Sequence, residues 1–198
     1  MNKRQNKRLF HSWRVFTYLS ILGISSAFLT IMGCLVFTLI EHPIPTFRLP
    51  TIFHANTILI LFSSYSIWQV KIALAYDNHQ QIRLHLLITA CVGILFTVLQ
   101  IVGWSELKMQ GVLFTNNITG TYLYVLSGLH LLHLLVGVGW LVYLAYLSYT
   151  IRQDAYAVLL FDTNPNEKLK IELASTYWHF VDGIWVVLYL CMLMVLAL

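Results

Sequence analysis

The sequence predicts an all-α integral membrane bundle of five transmembrane helices. Three observations carry that expectation: 59% of the 198 residues are hydrophobic, only 10% are charged, and the mean hydropathy is +0.74. A soluble domain of ordinary composition carries about 25% charged residues, so this chain lacks the polar surface that water demands. Crossing the hydrocarbon core takes about 20 apolar residues in a helix, because every backbone polar group must be satisfied where no water is present. Five runs reach that length, and with a basic N-terminal arm over 1–14 they make one domain, 1–198.

The first span covers about 15–40 and holds no charged residue. A basic start before an apolar run also suggests a secretory signal, but this run is too long and lacks a small-residue cleavage pattern, so a retained helix is expected. Glu41-His42-Pro43-Ile44-Pro45 and Pro50 then stop the helix, since proline cannot continue the backbone ladder. The second span covers about 51–70 and closes at Lys71; the third covers about 86–104. The fourth lies in the chargeless stretch between Lys108 and Arg152 and covers about 121–146. A polar connection from Arg152 to Glu172 includes the turn-rich Asp162-Thr163-Asn164-Pro165-Asn166, and the fifth span, about 173–198, has Asp182 as its single formal charge. There are no repeats or low-complexity tracts.

Sidedness follows from the basic residues, because cytoplasmic segments retain Lys and Arg. Lys3, Arg4, Lys7, Arg8 and Arg14 lie in the N-terminal arm, and Lys71, Arg83, Arg152, Lys168 and Lys170 lie in the second and fourth connections. Arg48 and Lys108 lie opposite, so ten of the twelve basic residues share one side. That side is assigned to the cytoplasm, which leaves the C-terminus on the periplasmic side. The net charge of +4 therefore expresses topology and not nucleic-acid binding.

Polar groups within the spans are the candidates for chemistry. His179 and Asp182 are three residues apart and share a helix face. An ionised Asp near a helix centre costs about 2.5 to 3.5 kcal/mol on insertion scales, so Asp182 is expected to face protein and find a partner. The spacing is compatible with a structural hydrogen-bond network or with a proton relay. His130 and His133 share a face of the fourth helix, with Ser127 one turn before. They are read as structural histidines, with heme ligation open if His179 or His54 supplied the other axial side. A di-metal carboxylate site would need several Glu residues projecting into the bundle, and the spans contain none.

Gln100, Asn56, Thr57, Ser63 and Ser64 read as hydrogen-bonding glue between helices, and Glu172 as an acidic group at a helix N-terminus. Gly23, Ala27, Ala90, Gly93, Thr97, Gly128 and Gly137 would let helices approach closely. Trp104, Trp140, Tyr143, Tyr146 and Trp178 fall toward span ends, where rings anchor at the interface. Cys34, Cys91 and Cys191 sit in different spans, without paired spacing, and read as buried apolar fillers. No nucleophile elbow, phosphate-binding glycine loop or zinc signature occurs. On residue chemistry alone the chain is non-catalytic.

Several stretches in order resemble subunit III of the heme-copper respiratory oxidases. They are Asn56-Thr57 with Ser63-Ser64; Arg83 with Thr89, Gly93, Phe96 and Gln100; Phe114-Thr115; Ser127-Gly128-Leu129-His130-Leu131-Leu132-His133 with Gly137; and Glu172 with Tyr177-Trp178-His179-Phe180-Val181-Asp182 and Trp185. The likeness covers roughly 50–190, and its helix count is similar to the short five-helix bacterial form. The resemblance implies a non-catalytic subunit of a cytochrome c or quinol oxidase that reduces O2 to water and pumps protons. It implies a chain without heme or copper of its own that packs on subunit I beside subunit II and the other oxidase subunits. It further implies bound phospholipid, support of proton uptake and of stability, and a place in the bacterial inner (cytoplasmic) membrane, with membership of a respiratory supercomplex open. His130, His133, His179, Asp182, Gln100 and Glu172 would form the intramembrane polar network, with no catalytic, cofactor or metal residues. One departure is that the family often carries a glutamate in the helix corresponding to 15–40, and this chain has none there. Competing readings are a subunit III relative serving a nitric-oxide reductase, a heme-b quinone-linked membrane anchor, and a small transporter using His179 and Asp182 as a proton pair.

Overall fold

A computed structural model describes residues 3–41, 48–114, 118–151 and 165–197. The described residues form five helices: α1 (Lys3–Glu41), α2 (Thr51–Ala75), α3 (His79–Met109), α4 (Ile118–Ile151) and α5 (Pro165–Ala197), with no strand among them. Each contains a segment long and apolar enough to cross a membrane, so the five-helix membrane fold expected from hydropathy is the fold observed. The chain is a multi-pass membrane protein.

The helices run past the expected spans because hydropathy detects only the part that sits in hydrocarbon, whereas helical hydrogen bonding continues into the polar zones. The basic stretch before the first expected span is helical from Lys3 and continuous with α1. At the other end α5 opens at Pro165, where the missing amide hydrogen of proline removes a donor that would be orphaned anyway. Glu41 is the last residue of α1, whereas His42, Pro43 and Pro45, and the polar stretch from Arg152 to Asn164, lie outside the described residues.

Local chemistry sets two turns. Between α2 and α3 the chain reverses through Tyr76, Asp77 and Asn78, with Asp77 at φ 50° and the Asn78 side chain accepting from the Gln81 amide at 3.1 Å. An asparagine at this position satisfies one of the orphan donors of the first turn. Lys168 of α5 pairs with Asp77 at 2.6 Å and so ties the start of α5 to that turn. At the end of α3, Gly111 has φ +81°, the Val112 amide donates to the Leu107 carbonyl and the Gly111 amide to that of Lys108, both at 3.1 Å. This is a Schellman termination, which needs the left-handed conformation that glycine adopts without strain.

Helices α2 to α5 close into a four-helix bundle in the order α2–α3–α4–α5–α2, and α1 lies outside against α4 and α5. The main core includes Phe53, Ile67, Ile82, Leu86, Phe96, Leu134, Trp178 and Trp185, all fully buried. A smaller cluster holds α1 in place, with Phe28 and Leu35 packed on Leu126, Leu188 and Val195. The outer face of α1, including Phe16, Leu22, Leu29 and Phe37, is exposed, as suits a helix bathed in lipid.

The bundle is tightest where Trp178 crosses two glycines. A Cβ at Gly93 would lie 2.8 Å from both Trp178 Cη2 and Val138 Cγ2, and one at Gly137 would lie 3.1 Å from Trp178 Cε3. Gly23, by contrast, has nothing within 4 Å. The cysteines correct the expectation of buried fillers: Cys34 and Cys91 are exposed and Cys191 is half-buried. A thiol is a small apolar group, equally at home against lipid, so hydropathy does not distinguish the two positions.

Replacing Gly93 with Ala is expected to cost about 1–3 kcal/mol through overpacking against Trp178. Gly139→Ala, at a site with nothing within 4 Å, should be neutral. Thermal unfolding in detergent checks the pair: equal midpoints would show that the Trp178 contact is soft.

Candidate functional site

Helices α2 and α5 run antiparallel, so their polar side chains meet in opposite sequence order. From one end of the seam to the other, His54 Nδ1 is hydrogen-bonded to the Tyr189 hydroxyl, and Trp185 Nε1 donates to Thr57 Oγ1 at 3.1 Å. Next, Trp178 Nε1 donates to Ser63 Oγ at 3.0 Å, and Ser64 Oγ lies 2.7 Å from His179 Nδ1. The α5 groups recur every three to four residues and so form one stripe on the helix. Each hydroxyl on α2 gives a partner to an α5 group that would otherwise face hydrocarbon unpaired.

Asp182 is 4% exposed and lies against Ser63, whose hydroxyl is 3.4 and 3.3 Å from the two carboxyl oxygens and 3.0 Å from the Ile60 carbonyl. One hydroxyl proton serves both acceptors, so its contact with the carboxyl is long and shared. Ser63 thus receives the Trp178 N–H and presents its own O–H beside Asp182. This arrangement holds a buried carboxyl and a tryptophan in fixed relation.

The two histidines of α4 point apart, although they are three residues apart on one helix. His130 is 1% exposed and packs against Phe96 and Trp185, with ring centroids 5.6 and 5.1 Å away. His133 turns toward α1: its Nδ1 lies 2.6 Å from the Leu129 carbonyl, and its ring meets Phe28 edge-on at 6.0 Å. A carbonyl only accepts, so Nδ1 carries the hydrogen. Tyr177 donates to the His133 carbonyl at 3.1 Å, joining α5 to α4.

Gln100 is fully buried and accepts from Asn56 Nδ2 at 3.1 Å. The structure therefore brings His179 and Asp182 to the α2–α5 seam and buries His130 and Gln100 within the bundle, while His133 lies at the α1 side. Glu172 stands apart: it is exposed, well inside α5, and its backbone carbonyl accepts from Thr176 at 2.9 Å. The acid in the first turn is Glu167, paired with Lys170 at 2.8 Å, because α5 begins at Pro165 and not near residue 173. The same early start overturns the interfacial reading of Trp178, which is 1% exposed in the core. The role of Tyr189 was not legible in the sequence; the signal was its place on the stripe of His179, Asp182 and Trp185. No group of three or more His, Cys, Asp or Glu side chains able to hold a metal occurs among the described residues.

Comparison with known proteins identifies the family. The profile of the family described as cytochrome c oxidase subunit III matches residues 16–195. Relatives named cytochrome c oxidase subunit 3 include one from Spodoptera frugiperda, 30% identical over 75% of this chain and 90% of its own length. Another, from Loxodonta africana, is 32% identical over 75% of this chain and 51% of its own. A third, from Heterololigo bleekeri, is 26% identical over 76% of this chain and 52% of its own. The chain spans about half the length of the last two relatives. With the family profile covering all five helices, the chain belongs to the cytochrome c oxidase subunit III family.

Proposed function

We propose that this chain is the non-catalytic subunit III of a heme-copper terminal oxidase, one that takes electrons from cytochrome c or quinol, reduces O2 to water and pumps protons. The observation that carries the reading is the family match across residues 16–195. The geometry supports it: Asp182, His179, Tyr189 and Thr57 are engaged between α2 and α5, which is what a structural scaffold requires. The chain packs on subunit I, assembles with subunit II, and contributes stability and support of proton uptake while partner subunits hold heme and copper. The basic N-terminal segment lies in the cytoplasm and the C-terminus on the other side. This reading places the chain in a bacterial inner membrane, the setting that its resemblance to the short form of the family implies; the relatives named above are animal proteins.

Lipid binding has a place in this reading. A groove of about 380 Å3 runs between α1 and α5, lined by Phe28, Leu29 and Met32 on one side and by Phe180, Gly183 and Ile184 on the other. Its lining is almost wholly apolar, which suits a phospholipid acyl chain. A glycine at 183 leaves the groove open, since nothing lies within 4 Å of the position its Cβ would take.

Purification of the tagged chain in mild detergent is expected to bring heme and copper with it, and a harsher detergent should remove both together with a large partner subunit. Heme retained on the isolated chain would make the histidines ligands and sink the companion reading. Asp182→Leu should shorten the active lifetime of the oxidase several-fold with its heme spectrum nearly intact; normal assembly and lifetime would argue against a stabilising seam. Gly183→Phe should reduce the phospholipid retained per complex, measured by native mass spectrometry, and an unchanged lipid count would place the lipid elsewhere.

A further inference from the structure

At the level of Phe96 the interior of the four-helix bundle gathers four buried polar atoms that have no hydrogen-bond partner among the described residues: Asn56 Oδ1, Gln100 Nε2, and both ring nitrogens of His130. Their side chains are 0%, 0% and 1% exposed. They are linked through shared neighbours. Phe96, whose ring meets that of His130, is one turn from Gln100 on α3; Thr57, next to Asn56 on α2, holds the Trp185 indole that packs on the same imidazole.

The Asn56–Gln100 pair is open in a specific way. Two facing primary amides can close a ring with two hydrogen bonds, yet here only Asn56 Nδ2 to Gln100 Oε1 is made, at 3.1 Å. One acceptor and one donor are left over. Turning both amides by half a rotation exchanges their roles and leaves the same count, so the deficit does not depend on which atom is oxygen. What completes the pair must donate to one amide and accept from the other, and water does both. A neutral imidazole likewise presents one donor and one acceptor. Nearby N–H groups are already committed, Trp185 to Thr57 and Trp104 to Ser127.

Buried polar groups without protein partners are satisfied by internal water, which makes about three hydrogen bonds per molecule. We propose that the centre of the bundle is an internal water site, with one molecule closing the Asn56–Gln100 pair and one on the imidazole of His130. The site is a hydrated layer sealed between apolar and aromatic layers of the membrane-embedded bundle. It supplies the reason for two amides and a histidine in a core that could otherwise be all apolar.

Cryo-electron microscopy of the intact complex, at a resolution that shows water, tests this directly. Density within about 3.2 Å of Asn56 Oδ1 and Gln100 Nε2, with a second peak on a His130 nitrogen, is the expected result. Absence of density in that layer where other internal waters are visible would overturn the proposal, as would amides that close on each other. A second readout is X-ray radiolytic labelling of the complex, which oxidises side chains beside bound water. Trp185 and His130, sealed from bulk solvent, should label well above the buried Phe53 in the wild type. In the His130→Leu variant, which removes the imidazole that holds the second water, the labelling of Trp185 packed on it should fall several-fold. Labelling of His130 no greater than that of Phe53 in the wild type would refute the site, whether or not the variant assembles.

Discussion

The indole of Trp178 touches every other helix of the closed bundle. From α5 it lies across Gly93 of α3 and Gly137 of α4, and its N–H reaches Ser63 of α2 at 3.0 Å. A flat ring of this size fits only because both crossing points lack a Cβ, and it is satisfied only because a hydroxyl stands at its polar edge. Within hydrocarbon an unpaired N–H has no water to fall back on, so the serine and the glycines are required together. The position of Asp182 beside that same Ser63 follows from this contact.

Around this hub the polar side chains of α2 and α5 meet in pairs strung along the two helices. His54 with Tyr189, Thr57 with Trp185, Ser63 with Asp182 and Ser64 with His179 succeed one another along the α2–α5 seam. Such pairs fix register between two antiparallel helices, because sliding α5 by one turn would separate all of them at once. Transmembrane helices gain little from hydrophobic driving force against one another, so close packing and hydrogen bonds decide how they associate. Helix α1 lies outside this seam and packs on α4 and α5 through the cluster of Phe28 and Leu35, the Phe28–His133 ring contact and a long Thr38–Tyr122 hydroxyl contact at 3.4 Å.

Much of this was legible beforehand, and the exceptions have physical causes. Ser63, Ser64, Thr57 and Asn56 read as glue because small polar groups inside a span have few other uses, and each does bridge to a neighbouring helix. Trp178 read as an interfacial anchor and Glu172 as a cap, both for one reason: the start of α5 was set by hydropathy, which is blind to a helix that begins in polar sequence at Pro165. His130 and His133 shared a face in projection, yet one enters the core and the other the α1 side. A separation of three residues is about 60° of helix, enough to straddle the edge between two neighbours.

The sequence by itself determined that this chain lives in a membrane, that it crosses as five helices, and which polar residues must find partners there, since length and hydropathy are properties of single segments. Only the tertiary structure decided who the partners are. Pairing depends on which helix faces which, and in what rotation and register, and those follow from sequence-distant fits such as Trp178 on Gly93 and Gly137. A span announces its apolar run locally, whereas the direction its polar side chains face is settled by the neighbours that leave room for them.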